Sequence, residues 1–268
     1  MPLYKVKLED AKLHVAKGNS KIGKTIYSFS TLPGDVNHLL YANKVLLTDL
    51  PGTCTNLCEG CFGACYAVNS AKLHHNAVIK AWADNTLLLR YKPSILFDQI
   101  NALINEKNKK YYETHNEKDI KIKTWRWNVS GEIQNVTELA LMNILAKKHP
   151  EVMFGIYTKN FKAVETLLDA LGDTQPNFVI NISQWHHVAD DFLKKYVDKV
   201  NIFEYDDSNL KNHGLSEEDV ARLSKISHCP AVTKQGTHAK TPNGDPITCD
   251  MCRRCYTKTG KATAVYSH

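Results

Sequence analysis

Eight cysteines are the residues of this sequence whose type and spacing point most directly to chemistry. They fall into two groups of four: Cys54, Cys58, Cys61 and Cys65 near the N-terminus, and Cys229, Cys249, Cys252 and Cys255 near the C-terminus. Buried structural cysteines are not expected to bunch at intervals of two or three residues, whereas thiolates that share a metal are. The sequence therefore predicts two four-cysteine metal sites.

The C-terminal group has three cysteines at two-residue intervals and one remote partner, Cys229. Structural zinc usually takes two separated pairs of ligands, while a tight run with a distant fourth ligand is typical of ferredoxin-type [4Fe–4S] clusters. The spacing favours an iron–sulfur cluster here, with zinc as the alternative. Arg253 and Arg254 lie within the run, where they either offset the charge of a thiolate-bound cluster or are exposed.

The N-terminal group carries the spacing that suggests catalysis. Three thiolates on a four-iron cluster leave one iron open to a ligand, whereas four thiolates close it. The C-x3-C-x2-C spacing of Cys54, Cys58 and Cys61 resembles that of radical S-adenosylmethionine (SAM) enzymes. The resemblance implies a [4Fe–4S] cluster whose open iron binds SAM, an external electron donor, and reductive cleavage of SAM to a 5′-deoxyadenosyl radical. It also implies a partial βα barrel with this loop after its first strand, for which residues 45–48 are the candidate.

The sequence Ser130-Gly131-Glu132 extends this resemblance, because it is similar to the glycine–glutamate motif of the same superfamily. The implied role of that motif is to hold the amino group of SAM with its backbone and carboxylate. Two positions depart from the pattern. Gly60 stands where the superfamily usually has an aromatic residue, and Cys65 is an additional thiolate.

A closer resemblance is to the bacteriophage "gene product 88" family. It is carried by residues 18–24, by Cys61-x3-Cys65-Tyr66-Ala67, by Ser130-Gly131-Glu132, and by Cys229-Pro230 with the final C-x2-C-x2-C. In that family the N-terminal cysteines tend to be spaced like Cys54, Cys61 and Cys65. Which three of the four N-terminal cysteines bind the first cluster therefore stays open, and this resemblance implies no particular reaction.

Short apolar segments alternate with amphipathic ones from about residue 121, which is typical of βα units and a parallel sheet. The pattern predicts strands at 121–129, 152–157, 178–182 and 199–203, and helices at 66–91, 94–110, 136–148, 162–171, 190–197 and 216–225. The expected fold is α/β, a partial parallel barrel of five or six βα units. We expect a β-rich extension at 1–50, the barrel with the first cysteine group at 51–228, and a cysteine-rich segment at 229–268.

Residues 18–25 match the phosphate-binding pattern G-x-x-x-x-G-K-T. A P-loop requires a helix after the glycines, so that helix amides face the phosphate. Here the pattern continues with alternating apolar and polar residues up to Pro33-Gly34, which predicts a strand. Nucleotide hydrolysis is therefore not expected.

Further candidate ligand-binding residues stand at the ends of the predicted strands. They are Asn128, Lys159, Asn181 and Ser183. Polar groups at the carboxyl ends of parallel strands are where α/β folds place their ligands. With Ser130, Gly131 and Glu132, these residues form the expected cofactor site.

Composition and charge narrow the setting. The N-terminus has no apolar segment behind a basic start, and no apolar stretch approaches the ~20 residues needed to cross a bilayer. We expect a cytoplasmic protein, in the host-cell cytoplasm if phage-encoded, with no membrane partner. The net charge of +6 allows a nucleic acid or nucleotide substrate beside the small-molecule cofactor. The alternative is a non-enzymatic iron–sulfur or zinc-stabilised protein that binds nucleic acid or a host factor.

Overall fold

The computed structural model describes residues 7–19, 22–34, 50–54, 56, 65, 67, 70, 75–184, 189–208, 214–235 and 238–266. This part of the chain is a mixed α/β structure with one seven-stranded sheet. The strands are β1 (Ala16–Asn19), β2 (Gly23–Ser28), β3 (Thr124–Arg126), β4 (Met153–Thr158), β5 (Phe178–Gln184), β6 (Asn201–Asp206) and β7 (Ala262–Tyr266). The helices are α1 (His75–Tyr91), α2 (Pro93–Thr114), α3 (Val136–Lys148), α4 (Phe161–Leu171), α5 (Asp190–Tyr196), α6 (Glu217–Leu223) and α7 (Cys249–Cys252).

The strands lie in the sheet in the order in which they occur in the chain. Strand β1 pairs antiparallel with β2, and every later pairing, from β2–β3 to β6–β7, is parallel. Parallel neighbours need a crossover connection, and helices α1 to α6 lie in these connections. The predicted alternation of strands and helices is confirmed, and so is a largely parallel sheet.

Alternation along β3 separates the core from the opposite face of the sheet. Trp125 and Trp127 are fully buried, and the Trp127 ring packs against Phe29 and Phe97 with centroid distances of 5.8 and 5.3 Å. Successive side chains of a strand point to opposite faces, so Arg126 faces away from this aromatic cluster.

Asparagine and serine caps fix the starts of several crossover helices. The side chain of Asn135 accepts a hydrogen bond from the N–H of Glu138 at the start of α3, and Asn160 accepts one from Ala163 at the start of α4. Ser216 caps α6 in the same way. Such caps satisfy N–H groups that have no partner inside the helix, which explains why these helix boundaries follow the sequence pattern closely.

Some boundaries differ from those predicted. Strand β3 ends before residue 129, because Asn128 has a positive φ angle of 47° that breaks the extended backbone. Strand β2 occupies the position where a P-loop would need its helix, which confirms the rejection of that motif. Strand β7 was not predicted, because its five residues follow a long tail rich in Gly, Pro, Lys and Thr. The candidate strand at 45–48 lies outside the described residues.

The three predicted segments, 1–50, 51–228 and 229–268, each contribute strands to the one sheet, and their division remains a prediction. Within the described part of the chain, no helix combines the length and the apolar character that a bilayer crossing requires.

Candidate functional site

A cavity of about 690 Å³ lies where the parallel strands end. Residues that follow β3 and β4 line it, as do Ser183 near the end of β5 and Phe203 and Tyr205 in β6. Cysteines of both groups line the cavity, namely Cys54, Cys65, Cys229, Cys249, Cys252 and Cys255. All six are partly buried thiols. The fold therefore brings the two groups to one space, although about 160 residues separate them in sequence.

The approach to Cys54 is held by buried backbone contacts. The guanidinium of Arg90, in α1, donates hydrogen bonds to the carbonyl oxygens of Pro51 and Gly52. The N–H of Thr53 donates to the carbonyl of Leu32 at 2.9 Å. An ideal Cβ at Gly52 would lie 2.0 Å from the Gly34 carbonyl oxygen, so glycine is required for this close approach. Cys54 thus enters the cavity from a fixed backbone.

The Ser130-Gly131-Glu132 turn is joined directly to this loop. The hydroxyl oxygen of Thr53 accepts a hydrogen bond from the N–H of Glu132 at 2.8 Å and lies 2.9 Å from the Thr31 hydroxyl oxygen. The Thr31 N–H donates to the carbonyl of Ser130 at 3.0 Å. Gly131 passes so close that a Cβ there would lie 1.9 Å from the Thr31 oxygen. Turn and cysteine loop therefore form one hydrogen-bonded unit.

The Glu132 carboxylate is buried and held from two sides. Its oxygens accept hydrogen bonds from the N–H groups of Ile133 and Lys159, each at 2.8 Å. Burial raises the pKa of Glu132, although these donors oppose the rise. Burial also raises the pKa of Cys54 to about 12, with the nearby Glu132 carboxylate adding to the effect. A thiolate at Cys54 thus requires added positive charge, which a metal supplies when it binds.

On the other side of the cavity, the C-terminal cysteines lie on and around α7, which docks onto the N-terminal hairpin. Asp250 accepts hydrogen bonds from the N–H and hydroxyl of Thr25 at 3.0 and 2.7 Å, and its own N–H donates to the Ile22 carbonyl. Gly23 leaves room for this carboxylate, since a Cβ there would lie 2.1 Å from it. The helix that carries Cys249 and Cys252 is thereby fixed against β2.

The chain after α7 continues across the ends of the central strands. Asn181, in β5, donates its amide to the carbonyl oxygen of Cys255 at 3.0 Å and to that of Ile156 at 3.1 Å. Tyr256 fits against Gly155 of β4, where a Cβ would come within 2.7 Å of the tyrosine ring. Asn181 therefore supports the cysteine segment from a buried position, and its predicted cofactor role stays a prediction.

Cys255 lies beside a cation and a phenol. Burial raises the pKa of Cys255 to about 12, a hydrogen bond with Tyr157 lowers it, and the thiols of Cys229 and Cys249 raise it. The Arg126 guanidinium lies over the Tyr157 ring at 4.5 Å from the centroid. A positive charge close to Cys255 favours its thiolate and would stabilise an anionic cluster there.

Three buried polar side chains on the cavity wall have no hydrogen-bond partner among the described residues. They are the amide of Asn128 and the hydroxyls of Ser130 and Tyr256. Their residues are only 5%, 3% and 3% exposed. An unpaired buried polar group costs about 1–3 kcal/mol, so native structures usually satisfy such groups.

The structure brings most of the predicted cofactor residues together. The cavity is lined by Asn128, Ser130, Gly131, Glu132, Lys159 and Ser183. Lys159 also donates a hydrogen bond to the Ser183 hydroxyl at 3.1 Å. The predicted ligands Cys58 and Cys61 lie outside the described residues. Among the residues that are described, no three His, Cys, Asp or Glu side chains are arranged to hold a single metal ion.

Sequence reasoning missed several residues that build this site. Thr53 and Tyr256 stand directly beside ligand candidates in the sequence, and that adjacency was the available signal. Arg90 and Gly155 had none, since an arginine within a helix and a glycine within a strand are common in any α/β protein. Their roles depend on contacts with distant parts of the chain.

Comparison with known proteins gives one family. A model of the family described as gene product 88 matches residues 6–258, nearly the whole chain. No curated protein and no solved structure gives a significant match.

Proposed function

This chain belongs to the gene product 88 family, and from that starting point we propose that it is an iron–sulfur enzyme of the radical SAM type. The observation that carries the proposal is that both cysteine groups and the Ser130-Gly131-Glu132 turn line one cavity at the ends of parallel strands. A reactive centre needs a group that does chemistry and a space beside it for a substrate. This arrangement supplies both.

The topology supports the proposal. Six parallel strands, β2 to β7, lie in consecutive order. The loop with Cys54 and Cys65 follows the first of them, and Ser130-Gly131-Glu132 follows the second. These are the places that the radical SAM resemblance implies for the cluster loop and the glycine–glutamate motif. We further propose that the sheet curves into an incomplete barrel, since residues 249–256 contact strands β2, β4 and β5 before the chain returns to β7.

The residues on the N-terminal side suit a cationic centre and a cofactor with an ammonium group. The Cys65 thiol lies close enough to Cys54 to raise the pKa of Cys54, and the positive charge of an iron–sulfur core would offset that repulsion. Glu132 is a desolvated carboxylate that accepts hydrogen bonds from two backbone N–H groups and from the Thr158 side chain, and an ammonium partner would stabilise it further. When bound, the cluster would supply the electron that cleaves the carbon–sulfur bond of SAM.

The chain's own residues would bind and orient SAM and would exclude water from the site. Glu132 would hold the amino group, while Lys159, hydrogen-bonded to Ser183, offers a cation for a carboxylate. The buried Thr31–Thr53 contact would fix the distance between the turn and the cysteine loop. The C-terminal cysteines would hold an auxiliary cluster, with Arg126 and Tyr157 beside Cys255.

The test is anaerobic purification and reconstitution with iron and sulfide. We expect about eight irons per chain, a brown protein, and 5′-deoxyadenosine on addition of reductant and SAM. Cys54→Ala should abolish 5′-deoxyadenosine and leave about four irons. Cys229→Ala should leave the N-terminal cluster in place, and it therefore serves as the control for Cys54→Ala. Failure of the reconstituted protein to bind SAM or form 5′-deoxyadenosine would exclude the enzyme.

The same experiment identifies the third ligand of the first cluster. Cys58→Ala and Cys65→Ala are compared for iron content and 5′-deoxyadenosine. The variant that keeps both lacks only a supernumerary thiol, whereas loss of activity in both would mean that all four cysteines are needed.

A second candidate function is that of a metal-stabilised binding protein. It is favoured by the hydrogen bonds that attach the C-terminal cysteine segment to the sheet through Asp250 and Asn181, since structural metal sites brace such segments. A colourless protein with two equivalents of zinc, which loses its fold on chelation, would support this alternative. Iron with acid-labile sulfide in both sites would exclude the zinc form.

A further inference from the structure

Asn128 is a residue of the cavity wall with a buried carboxamide that is unpaired within the described part of the chain. The residue is 5% exposed, and neither its Nδ2 nor its Oδ1 has a hydrogen-bond partner among the described residues. The backbone of Asn128 has φ 47°, a left-handed conformation that asparagine adopts more readily than most residues other than glycine. The unpaired carboxamide is therefore the feature of this residue that points to a ligand.

The two unpaired atoms define what would satisfy them. A carboxamide presents a donor and an acceptor side by side, and its complement is a planar group with an adjacent acceptor and donor. A cis-amide, the edge of a lactam ring, has this form. Asparagine makes this kind of paired contact with the edges of nucleobases, where a good bidentate pair discriminates strongly against the wrong edge.

The surroundings of Asn128 suit a flat ring. Tyr157, two residues before Lys159, packs edge-on against Phe203 with ring centroids 4.8 Å apart, and the Arg126 guanidinium lies over the Tyr157 ring. All three line the cavity with Asn128. Aromatic rings and guanidinium planes stack favourably on planar heterocycles.

The hydroxyls of Ser130 and Tyr256, on the same wall, likewise have no hydrogen-bond partner within the described part of the chain. Ser130 belongs to the turn attached to the N-terminal cysteine loop, and Tyr256 follows Cys255 of the C-terminal group. The unpaired polar atoms therefore extend from one cysteine group to the other, with Asn128 as their only amide.

We infer that Asn128 recognises the cis-amide edge of a planar lactam heterocycle, the substrate, which binds between the two cysteine groups. The inference rests on the proposed function only in naming this ligand the substrate. Recognition of the edge itself needs neither SAM nor electrons. Ser130 and Tyr256 offer further hydrogen bonds to substituents of the ring.

The test uses two probes that differ in one donor. The ring of 2-pyridone carries a cis-amide, and N-methyl-2-pyridone keeps its size and carbonyl but lacks the N–H. Binding of each to the reconstituted full-length protein is measured by ligand-observed NMR titration. Loss of one hydrogen bond in a buried site should weaken N-methyl-2-pyridone about tenfold relative to 2-pyridone.

Variants assign the preference to Asn128. Asn128→Gly tolerates the positive φ and removes the amide, so both probes should bind equally and weakly. Asn128→Asp keeps the shape but loses the donor and should also lose the preference. Asn116→Gly, at an exposed asparagine before a short 3-10 helix, is the matched control and should bind as the wild type does.

Each outcome decides. A preference for 2-pyridone that Asn128→Gly removes supports the inference. Equal binding of the two probes to the wild type, no binding of either, or a preference that survives in Asn128→Gly overturns it. If the preference for 2-pyridone is observed but no 5′-deoxyadenosine forms, the proposed reaction is wrong and the recognition by Asn128 is kept. If 5′-deoxyadenosine forms but the preference is absent, the recognition is wrong and the proposed reaction is kept.

Discussion

Gly131 offers the sharpest test of the idea that the glycine–glutamate turn and the cysteine loop form one unit. Both Gly131 and Gly172 have positive φ, 82° and 76°, so replacing either with alanine should cost about 1–2 kcal/mol in backbone strain. They differ in space. A Cβ at Gly131 would lie 1.9 Å from the Thr31 hydroxyl oxygen and 2.5 Å from that of Thr53, whereas at Gly172 nothing lies within 4 Å. Crowding should add about 1–3 kcal/mol at Gly131 alone.

The assay is thermal and denaturant unfolding of Gly131→Ala and Gly172→Ala side by side. For a chain of this size, 1 kcal/mol shifts Tm by about 2–4 °C. We expect a fall of about 3 °C for Gly172→Ala and about 10 °C for Gly131→Ala. Only Gly131→Ala should also lose iron from the N-terminal site, because Thr53 directly precedes Cys54. Adding Thr31→Ala to Gly131→Ala removes the nearest oxygen and should restore part of the loss.

Equal Tm shifts for the two alanine variants would refute the crowding at Gly131, since the backbone strain common to both would then explain the whole loss of stability. Alternatively, Gly131→Ala could lose stability as expected but keep its iron content. That result would refute the idea that the turn positions the cysteine loop, while the effect of crowding at Gly131 would be confirmed.

Three further predictions concern single side chains. Asp250→Ala removes two hydrogen bonds to Thr25 at a partly exposed contact. It should lower the free energy of unfolding by about 1 kcal/mol and speed the release of metal from the C-terminal cysteines to a chelator. An unchanged rate of release would contradict the role of Asp250 in docking α7. Burial raises the pKa of Glu138 to about 7, and the nearby Glu132 adds to this rise. The free energy of unfolding of the wild type should therefore fall by up to about 3 kcal/mol as pH rises from 4.5 to 7, whereas that of Glu138→Gln should not. Urea unfolding of both proteins at pH 4.5 and pH 7 measures the difference. Tyr256→Phe deletes a buried hydroxyl without a partner among the described residues, so Tm should hold or rise by about 2 °C, and a clear fall would mean that the hydroxyl is bonded.

The sequence predicted the crossover helices and the parallel strands well, because their signals are local. Helix α3 has the predicted bounds, and its start is fixed by a cap at Asn135 that is visible in the sequence. Strand β7 was missed although Thr263, Val265 and Tyr266 favour a strand, because this segment of five residues follows a long tail rich in Gly, Pro, Lys and Thr.

The sequence singled out most residues of the candidate site but not the contacts that assemble it. Spacing pointed to the cysteines and a family resemblance to the Ser130-Gly131-Glu132 turn, yet nothing local indicates that Thr53 joins the two. Asn181 was assigned to the cofactor by its place at a strand end, and nothing in the sequence indicates that its amide donates to the Cys255 carbonyl. Whether a polar side chain faces the cavity or supports its wall depends on neighbours that fold in from distant sequence.

The docking of α7 onto β2 bears on how the protein matures. Residues 22–25 leave the ribosome early, but their partner Asp250 emerges more than 200 residues later. The cavity wall formed by Cys249, Cys252 and Cys255 therefore cannot exist on a nascent chain, and any cluster shared with it must be inserted after translation of that helix. Premature termination before residue 249 should yield a chain that retains the residues of β1 to β6 but lacks three of the four cysteines proposed to hold the second cluster.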